Sequence, residues 1–129
     1  MKLTEENYVE IAEKVIKKLH EEKNQKGQLI GIVTTSKIRN LLSMTANIYN
    51  DVVNTKSEHL SNEVIGRINY LKLRFVYEAG REPKVKRLVE TAQILQCLDA
   101  IKGSRSQYIL FSRYMEALVA YRKFYEKDE

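Results

Sequence analysis

The sequence contains few residues that break helices or cross-link a chain. One proline and five glycines in 129 residues favour long helices over many short strands. The single cysteine, Cys97, excludes an internal disulfide, which suits a reducing compartment. Because Cys97 lies among Ile94, Leu95 and Leu98, we expect a buried thiol within a helix.

Long apolar runs are also missing. None approaches the roughly 20 residues that a helix needs to span a bilayer. The first 15 residues carry acids where a signal peptide requires bases and an apolar core. We therefore expect a cytoplasmic protein that does not contact a membrane.

The motifs of common enzymes and cofactor sites are missing as well. His20 and His59 each stand alone, with no HExxH motif and no cysteine pair that would make a metal site. There is no glycine-rich phosphate loop and no GxSxG motif, and no pair of acids is marked for acid–base catalysis. The sequence thus predicts a protein that is not an enzyme and binds neither a cofactor nor a metal.

Helical periodicity is the strongest pattern that is present. Apolar residues recur three and four positions apart in five stretches, at 8–19, 38–52, 60–77, 85–101 and 111–125. The fourth stretch has an unusually wide apolar arc. The length is that of one domain. The predicted fold is an all-α, single-domain bundle of about five helices over residues 1–129, with a mobile loop near 23–31 and a frayed tail at 126–129.

Capping residues predict where these helices begin and end. Hydroxyl side chains at Thr4, Thr34, Ser57 and Ser104 fit the position before a helix. Gly80 fits the left-handed residue that ends the third helix, and Pro83 fits the first turn of the fourth.

The last stretch contains an aromatic seam. Its members alternate three and four residues apart, as at a helix-packing interface: Phe111, Tyr114, Leu118, Tyr121 and Tyr125. We expect one copy of the chain to leave this seam partly unfilled, so the protein should self-associate.

The excess positive charge is confined to one segment. Residues 67–87 hold seven bases and two acids, a net charge of +5, which equals that of the whole chain. Bases and acids balance in 1–30, in 31–66 and in 88–129. A local basic surface of this kind predicts an anionic partner. Lys37 and Arg39 add positive charge to the first turn of the second helix, where the dipole disfavours it, so an anion is expected there too.

Arginine and tyrosine share one face of the third helix. Arg67, Tyr70, Arg74 and Tyr77 lie beside its apolar stripe. Guanidinium groups bind phosphate, and both planar groups can stack on bases, so this face suits single-stranded nucleic acid. Periodicity alone is equally compatible with tyrosines that edge the core beside solvated arginines.

Five segments carry a resemblance to a known family. They are NYVEIAEKVI near the start, VTTSKIRNLLS from Val33, YLKLRFVYEAGRE from Tyr70, VKRLVETAQILQCLDAIK from Val85 and RYMEALVAYRKFY from Arg113. In this order and spacing the chain resembles the small subunit of type III-A (Csm) CRISPR effector complexes. The loop at 23–31 and the connection at 50–57 depart from the family pattern in length.

The resemblance implies a non-catalytic subunit that acts in antiviral defence. Several copies would stack along the filament of guide-RNA-binding subunits, in contact with the duplex of guide and target RNA, with other Csm subunits and with one another. It places Arg39 in the matched segment KIRNLL and Arg81 in AGRE, as contacts to RNA phosphates. The remaining RNA-binding candidates are Arg74, Lys84, Lys86, Arg87, Lys37 and Arg67.

Two other functions fit the residue pattern. The first is a helical scaffold that binds only proteins and docks an acidic partner on its basic face. The second is a DNA-binding regulator with a recognition helix over 34–44, although that helix carries only Lys37 and Arg39 and no tight turn precedes it at the usual spacing.

Overall fold

A computed structural model describes residues 2–125. The described chain forms six helices: α1 (Tyr8–Glu21), α2 (Thr35–Asn54), α3 (Asn62–Arg81), α4 (Pro83–Thr91), α5 (Ile94–Asp99) and α6 (Arg105–Tyr125). Between residues 2 and 125 there is no strand, only two isolated bridges, Lys23 with Leu29 and His59 with Ser104. The all-α fold class is confirmed. The tail predicted to fray, 126–129, lies outside the described residues.

Two of the four predicted hydroxyl caps are in place. Thr34 accepts a hydrogen bond from the backbone N–H of Lys37 at 3.2 Å, and Ser104 accepts one from that of Gln107 at 3.2 Å. The other two predictions are wrong. Helix α1 begins at Tyr8, with Asn7 rather than Thr4 at the cap position. Ser57 does not cap α3. Its hydroxyl accepts from the N–H of His59, whereas Ser61 caps α3. Residues 57–61 are not helical because the N–H of Leu60 donates to the carbonyl of Gly103. The cap of α3 is therefore Ser61, four residues after Ser57.

The prediction that Gly80 ends the third helix in a left-handed conformation is also wrong. Helix α3 continues through Gly80 to Arg81, and the first residue outside it is Glu82, with φ −132° and ψ 121°. A residue that precedes proline is forced out of the α region, so Pro83 is what ends α3. As predicted, Pro83 is the first residue of α4.

The fourth predicted helix is two helices. Gln93 lies in the left-handed region, with φ 53° and ψ 44°, and separates α4 from α5. The Tyr114 hydroxyl donates to the carbonyl of Ala92 at this break, at 2.9 Å. The break explains the wide apolar arc, because α4 and α5 bury different sides of what looked like one cylinder.

Helix α6 lies at the centre of the core and packs against α1 and α2. The seam residues Phe111, Tyr114 and Leu118 are fully buried, and Phe75 of α3 meets the Phe111 ring edge-on. The Tyr125 hydroxyl donates to Glu13 at 2.9 Å. One copy of the chain therefore fills most of the seam, so the seam does not explain self-association.

Helices α2 and α3 form an antiparallel pair. Ion pairs connect the end of α2 to the beginning of α3, through Asp51 and Arg67, and the beginning of α2 to the end of α3, through Lys37 and Glu78. This pairing brings the first turn of α2 against the junction of α3 and α4, where the basic segment lies. No helix within residues 2–125 is both long enough and apolar enough to cross a bilayer.

Candidate nucleic-acid interface

The carboxylate of Glu78 is the centre of the basic junction. Its side chain is only 9% exposed, yet three cations surround it. Arg74 approaches one oxygen at 3.3 Å, and Lys37 and Arg81 approach the other at 3.5 and 3.8 Å. The oxygen near Lys37 and Arg81, Oε1, accepts no hydrogen bond. Within the described chain, only these two ionic contacts compensate the burial of its charge. Glu78 thus forms ion pairs with bases of both α2 and α3.

Lys37 is also bound to Glu82, at 2.9 Å. This hydrogen bond, followed by the attraction of the same carboxylate and of Glu78, raises the pKa of Lys37. The sequence predicted an anion near Lys37 in the first turn of α2. For Lys37, that anion is provided by Glu78 and Glu82 of the same chain. Glu78 and Glu82 offset two of the three positive charges of Lys37, Arg74 and Arg81. The cluster therefore has one net positive charge, much less than the net charge of +5 counted for residues 67–87.

Arg74 and Arg81 nevertheless keep accessible donors. Their side chains are 41% and 55% exposed, and each guanidinium carries five N–H donors of which the contact with Glu78 engages only part. The carboxylate fixes where the guanidinium groups lie, which lowers the entropic cost of binding a phosphate. Lys84 and Lys86 add exposed charge on α4, where they point about 200° apart, and neither forms an ion pair within residues 2–125. We call Arg74, Arg81, Lys84 and Lys86 the basic surface.

Arg67 and Arg87 each connect parts of the chain that are distant in sequence, through an ion pair and a hydrogen bond to a backbone carbonyl. Arg67 pairs with Asp51 and donates to the carbonyl of Asn47 at 3.0 Å. Arg87 pairs with Glu22 and donates to the carbonyl of Gly31 at 2.6 Å. The hydrogen bond from Arg87 lowers the pKa of Glu22.

Arg39 does not join the basic surface. It is exposed on α2, and no ion pair is formed by it in the described part of the chain. Residues two positions apart on a helix point about 200° apart. Since Lys37 faces α3, Arg39 faces away from it, on the outer side of α2.

Tyr70 and Tyr77 are exposed, at 62% and 54%, rather than at the edge of the core. The guanidinium carbon of Arg74 lies 5.4 Å from the centroid of the Tyr77 ring. Of the two arrangements that periodicity allowed, the structure has the shared arginine–tyrosine face.

Sequence reasoning missed two apolar residues on the same helix. Leu73 and Val76 are 60% and 45% exposed, although an apolar side chain on a helix is ordinarily assigned to the core. Their angular positions, away from the stripe of Ile68, Leu71 and Phe75, were the available signal.

The described residues show no cluster of catalytic or metal-binding groups. No group of three or more His, Cys, Asp or Glu side chains in this part of the chain could hold a metal ion. Cys97 is buried, and burial raises its pKa to about 11.

Comparison with known proteins gives a consistent family. The family model described as Csm2 Type III-A matches residues 6–128. The curated "CRISPR system Cms protein Csm2" of Streptococcus thermophilus is 50% identical over 123 residues, which cover 95% of this chain and 94% of that protein.

More distant relatives carry the same description. The protein of Mycobacterium tuberculosis strain H37Rv is 37% identical over 130 aligned residues, covering 100% of this chain and 99% of the relative. That of Enterococcus italicus is 36% identical over 124 residues, covering 92% and 89%. The resemblance found in the sequence is confirmed: the chain belongs to the Csm2 family, the small subunit of type III-A Csm CRISPR complexes.

Proposed function

We propose that this chain is a non-catalytic subunit that holds the duplex of guide and target RNA through its basic surface while several copies stack along the complex. As a Csm subunit it has other Csm subunits as partners. The observation that carries the RNA contact is the set of exposed cations at the α3–α4 junction, with Arg74 and Arg81 oriented by the buried Glu78. Cytoplasmic residence belongs to the same proposal.

The chemistry of the basic surface suits phosphate contacts that do not read the base sequence. Arginine binds phosphate through paired N–H donors, and lysine does so as a point charge. Sequence selection is then left to pairing between guide and target, as in other guided complexes. The same surface shows no sign of a poised acid–base pair, which supports a holding role over cleavage.

The RNA-binding candidates fall into three groups on geometric grounds. Arg74 and Arg81 contact phosphates directly, and Lys84 and Lys86, which point about 200° apart on α4, contact different phosphates. Arg39, on the outer side of α2, contacts a different strand or a different copy. Lys37, Arg67 and Arg87 support the surface through their ion pairs and add only long-range attraction.

The proposed stacking of several copies is supported by a different observation, the exposed apolar side chains. Leu73 and Val76 place exposed apolar side chains on α3, and Phe124 of α6 is 76% exposed. Exposed apolar residues next to one another on a helix are typical of protein contacts. We propose that Leu73 and Val76 contact a neighbouring subunit, so the serine variants Leu73→Ser and Val76→Ser should reduce the amount of this chain in the purified complex.

The DNA-regulator alternative loses support from the same geometry. Its recognition helix would need Lys37 free to reach a groove, and Lys37 is bound to Glu78 and Glu82. The protein-only scaffold remains the competing function, and it is separated from RNA binding by the following experiment.

The test measures binding of matched target RNA to the assembled complex over a salt series. The double variant Arg74→Ala, Arg81→Ala should bind more weakly. The salt slope, which is the slope of log binding constant against log salt concentration, should be shallower by about two, because two phosphate contacts are lost. The control, Lys17→Ala with Lys56→Ala, removes the same charge from exposed sites outside the basic surface and should bind normally. Unchanged RNA binding by the first variant, with loss of subunits from the complex, would establish the protein-only scaffold instead.

A further inference from the structure

An apolar groove opens between α2 and α3, beside the basic surface. Its volume is about 520 Å³, within the range of roughly 300–1,000 Å³ that is typical of small-molecule sites. Met44, Ile48 and Leu71 line it, and Ile48 and Leu71 are otherwise buried. Gly66 also lines it, and a Cβ at this position would meet no atom within 4 Å, so the space beside Gly66 is open.

Two planar side chains stand at the groove. Tyr70 lines it and is 62% exposed, and Arg74 lines it while its guanidinium is held by Glu78 at 3.3 Å. Tyrosine rings and guanidinium planes are the groups on which unstacked bases are held in RNA-binding proteins. The groove thus combines an apolar floor with planar partners, one of which is fixed by an ion pair.

The charged groups at the rim favour a phosphate at one end of the groove only. Glu63 lines the groove and forms no ion pair within residues 2–125. A carboxylate repels phosphate, so the phosphate of a bound nucleotide would lie at the other end of the groove. Arg74 lines that end, about 16 Å along α3 from Glu63, and it supplies donors on the basic surface.

We propose that this groove receives one unpaired RNA base, whose phosphate lies against Arg74 and Arg81. The inference rests on the RNA contact proposed above and adds a base subsite to it. The face of the ring packs on Met44 and Leu71, and Tyr70 stacks from the solvent side.

A direct test uses the isolated full-length chain, labelled with ¹³C at the methionine methyl groups. Met44 lines the groove, whereas Met115 is fully buried and serves as an internal control. Titration with AMP should shift the Met44 methyl signal through the ring current of adenine and leave Met115 unchanged. Ribose 5-phosphate, which has the phosphate but no base, should shift neither. Equal shifts of Met44 with both compounds, or none with AMP at millimolar concentration, would overturn the proposal.

A second test fills the groove without changing any charge. Gly66→Leu places a side chain in the open space, and Gly80→Leu is its matched control, at another open glycine of α3 that does not line the groove. Both variants replace glycine by a better helix former, so both should fold. Gly66→Leu should weaken binding of a six-nucleotide oligoadenylate about tenfold with the salt slope unchanged, because one stacked base is lost. Gly80→Leu should bind as the unmodified protein does.

The outcomes separate the base subsite from the RNA contact itself. If Gly66→Leu binds oligoadenylate normally while Arg74→Ala with Arg81→Ala does not, the base subsite is refuted and the RNA-binding surface stands. If neither variant changes RNA binding, both proposals fail. If Gly66→Leu loses other Csm subunits from the complex and binds oligoadenylate normally, the groove holds a protein side chain, which also overturns the base subsite.

Discussion

The ammonium of Lys37 lies 2.9 Å from a carboxylate oxygen of Glu82, across the contact between the first turn of α2 and the residue that separates α3 from α4. The two residues are 45 positions apart in the sequence. Their hydrogen bond closes one end of the antiparallel α2–α3 pair, and it also determines how much positive charge the junction presents to solvent.

Removing the charge of Glu82 should strengthen RNA binding. Glu82→Gln leaves Lys37 with only Glu78 as a partner and adds one positive charge to the junction. We expect tighter RNA binding by a few-fold, with a salt slope steeper by about one. Fluorescence anisotropy with labelled RNA over a salt series measures both quantities. Glu90→Gln makes the same charge change at an exposed site on α4, and an equal gain there would show that only total charge matters.

Arg87 should be needed for stability rather than for RNA contact. Arg87→Leu removes the ion pair with Glu22 and the charged hydrogen bond to the Gly31 carbonyl, for a loss of about 1.5–3 kcal/mol in the free energy of unfolding. Urea denaturation measures this loss. The salt slope of RNA binding should change by less than it does for Arg81→Ala, and an equal change would place Arg87 on the RNA.

The Arg87–Glu22 pair also predicts a pH dependence. Arg87 holds the pKa of Glu22 below its ordinary value of 4.5. A lowered folded-state pKa stabilises the protein fully above the unfolded-state value, and the contribution is lost as the pH falls through the folded-state value. The stability difference between the unmodified protein and Arg87→Leu should therefore narrow as the pH is lowered below about 4.5. A constant difference down to pH 3 would show that the pair does not contribute.

The hydroxyl of Tyr114 should stabilise the break between α4 and α5. Tyr114→Phe leaves the Ala92 carbonyl without this donor in a fully buried position, at an expected cost of about 1–3 kcal/mol. Tyr70→Phe is the control, since the Tyr70 side chain is exposed and the same change there should cost less than about 0.5 kcal/mol. Similar stability losses for the two variants in urea would contradict this role.

The left-handed conformation of Gln93 gives a stabilising substitution. Gln93→Gly relieves the strain at φ 53° but increases the entropy of the unfolded chain, for a net gain of about 0.5–1 kcal/mol. Gln96→Gly makes the same change inside α5 and should instead destabilise by a similar amount. If both variants destabilise, the break at Gln93 does not persist in solution.

The sequence revealed the helices and the place where charge accumulates, because periodicity and charge counts are local properties. The break at Gln93 could not be predicted, since neither glycine nor proline marks it. The fold compensates the break from a distance through Tyr114, 22 positions away from Ala92. Ser57 and Ser61 are chemically equal as caps, and only the tertiary contact of Leu60 with Gly103 selects between them.

The candidate site shows the same division. The contacts of Glu78 with Arg74 and Arg81 follow from their spacing of four and three residues on one helix. The neutralisation of Lys37 depends on a pairing of α2 with α3 that the charge count did not contain. The groove at Gly66 was also invisible in the sequence, because an open space between helices has no residue pattern of its own.

The burial of Cys97 gives this protein a practical property for single-molecule and spectroscopic work. With its pKa raised to about 11, the thiol is almost entirely protonated at neutral pH, and maleimide reagents react with thiolates. A cysteine introduced at an exposed loop position such as Lys56→Cys would therefore be labelled selectively without replacing the native one. A single fluorophore could then report on each copy as it joins the assembled complex.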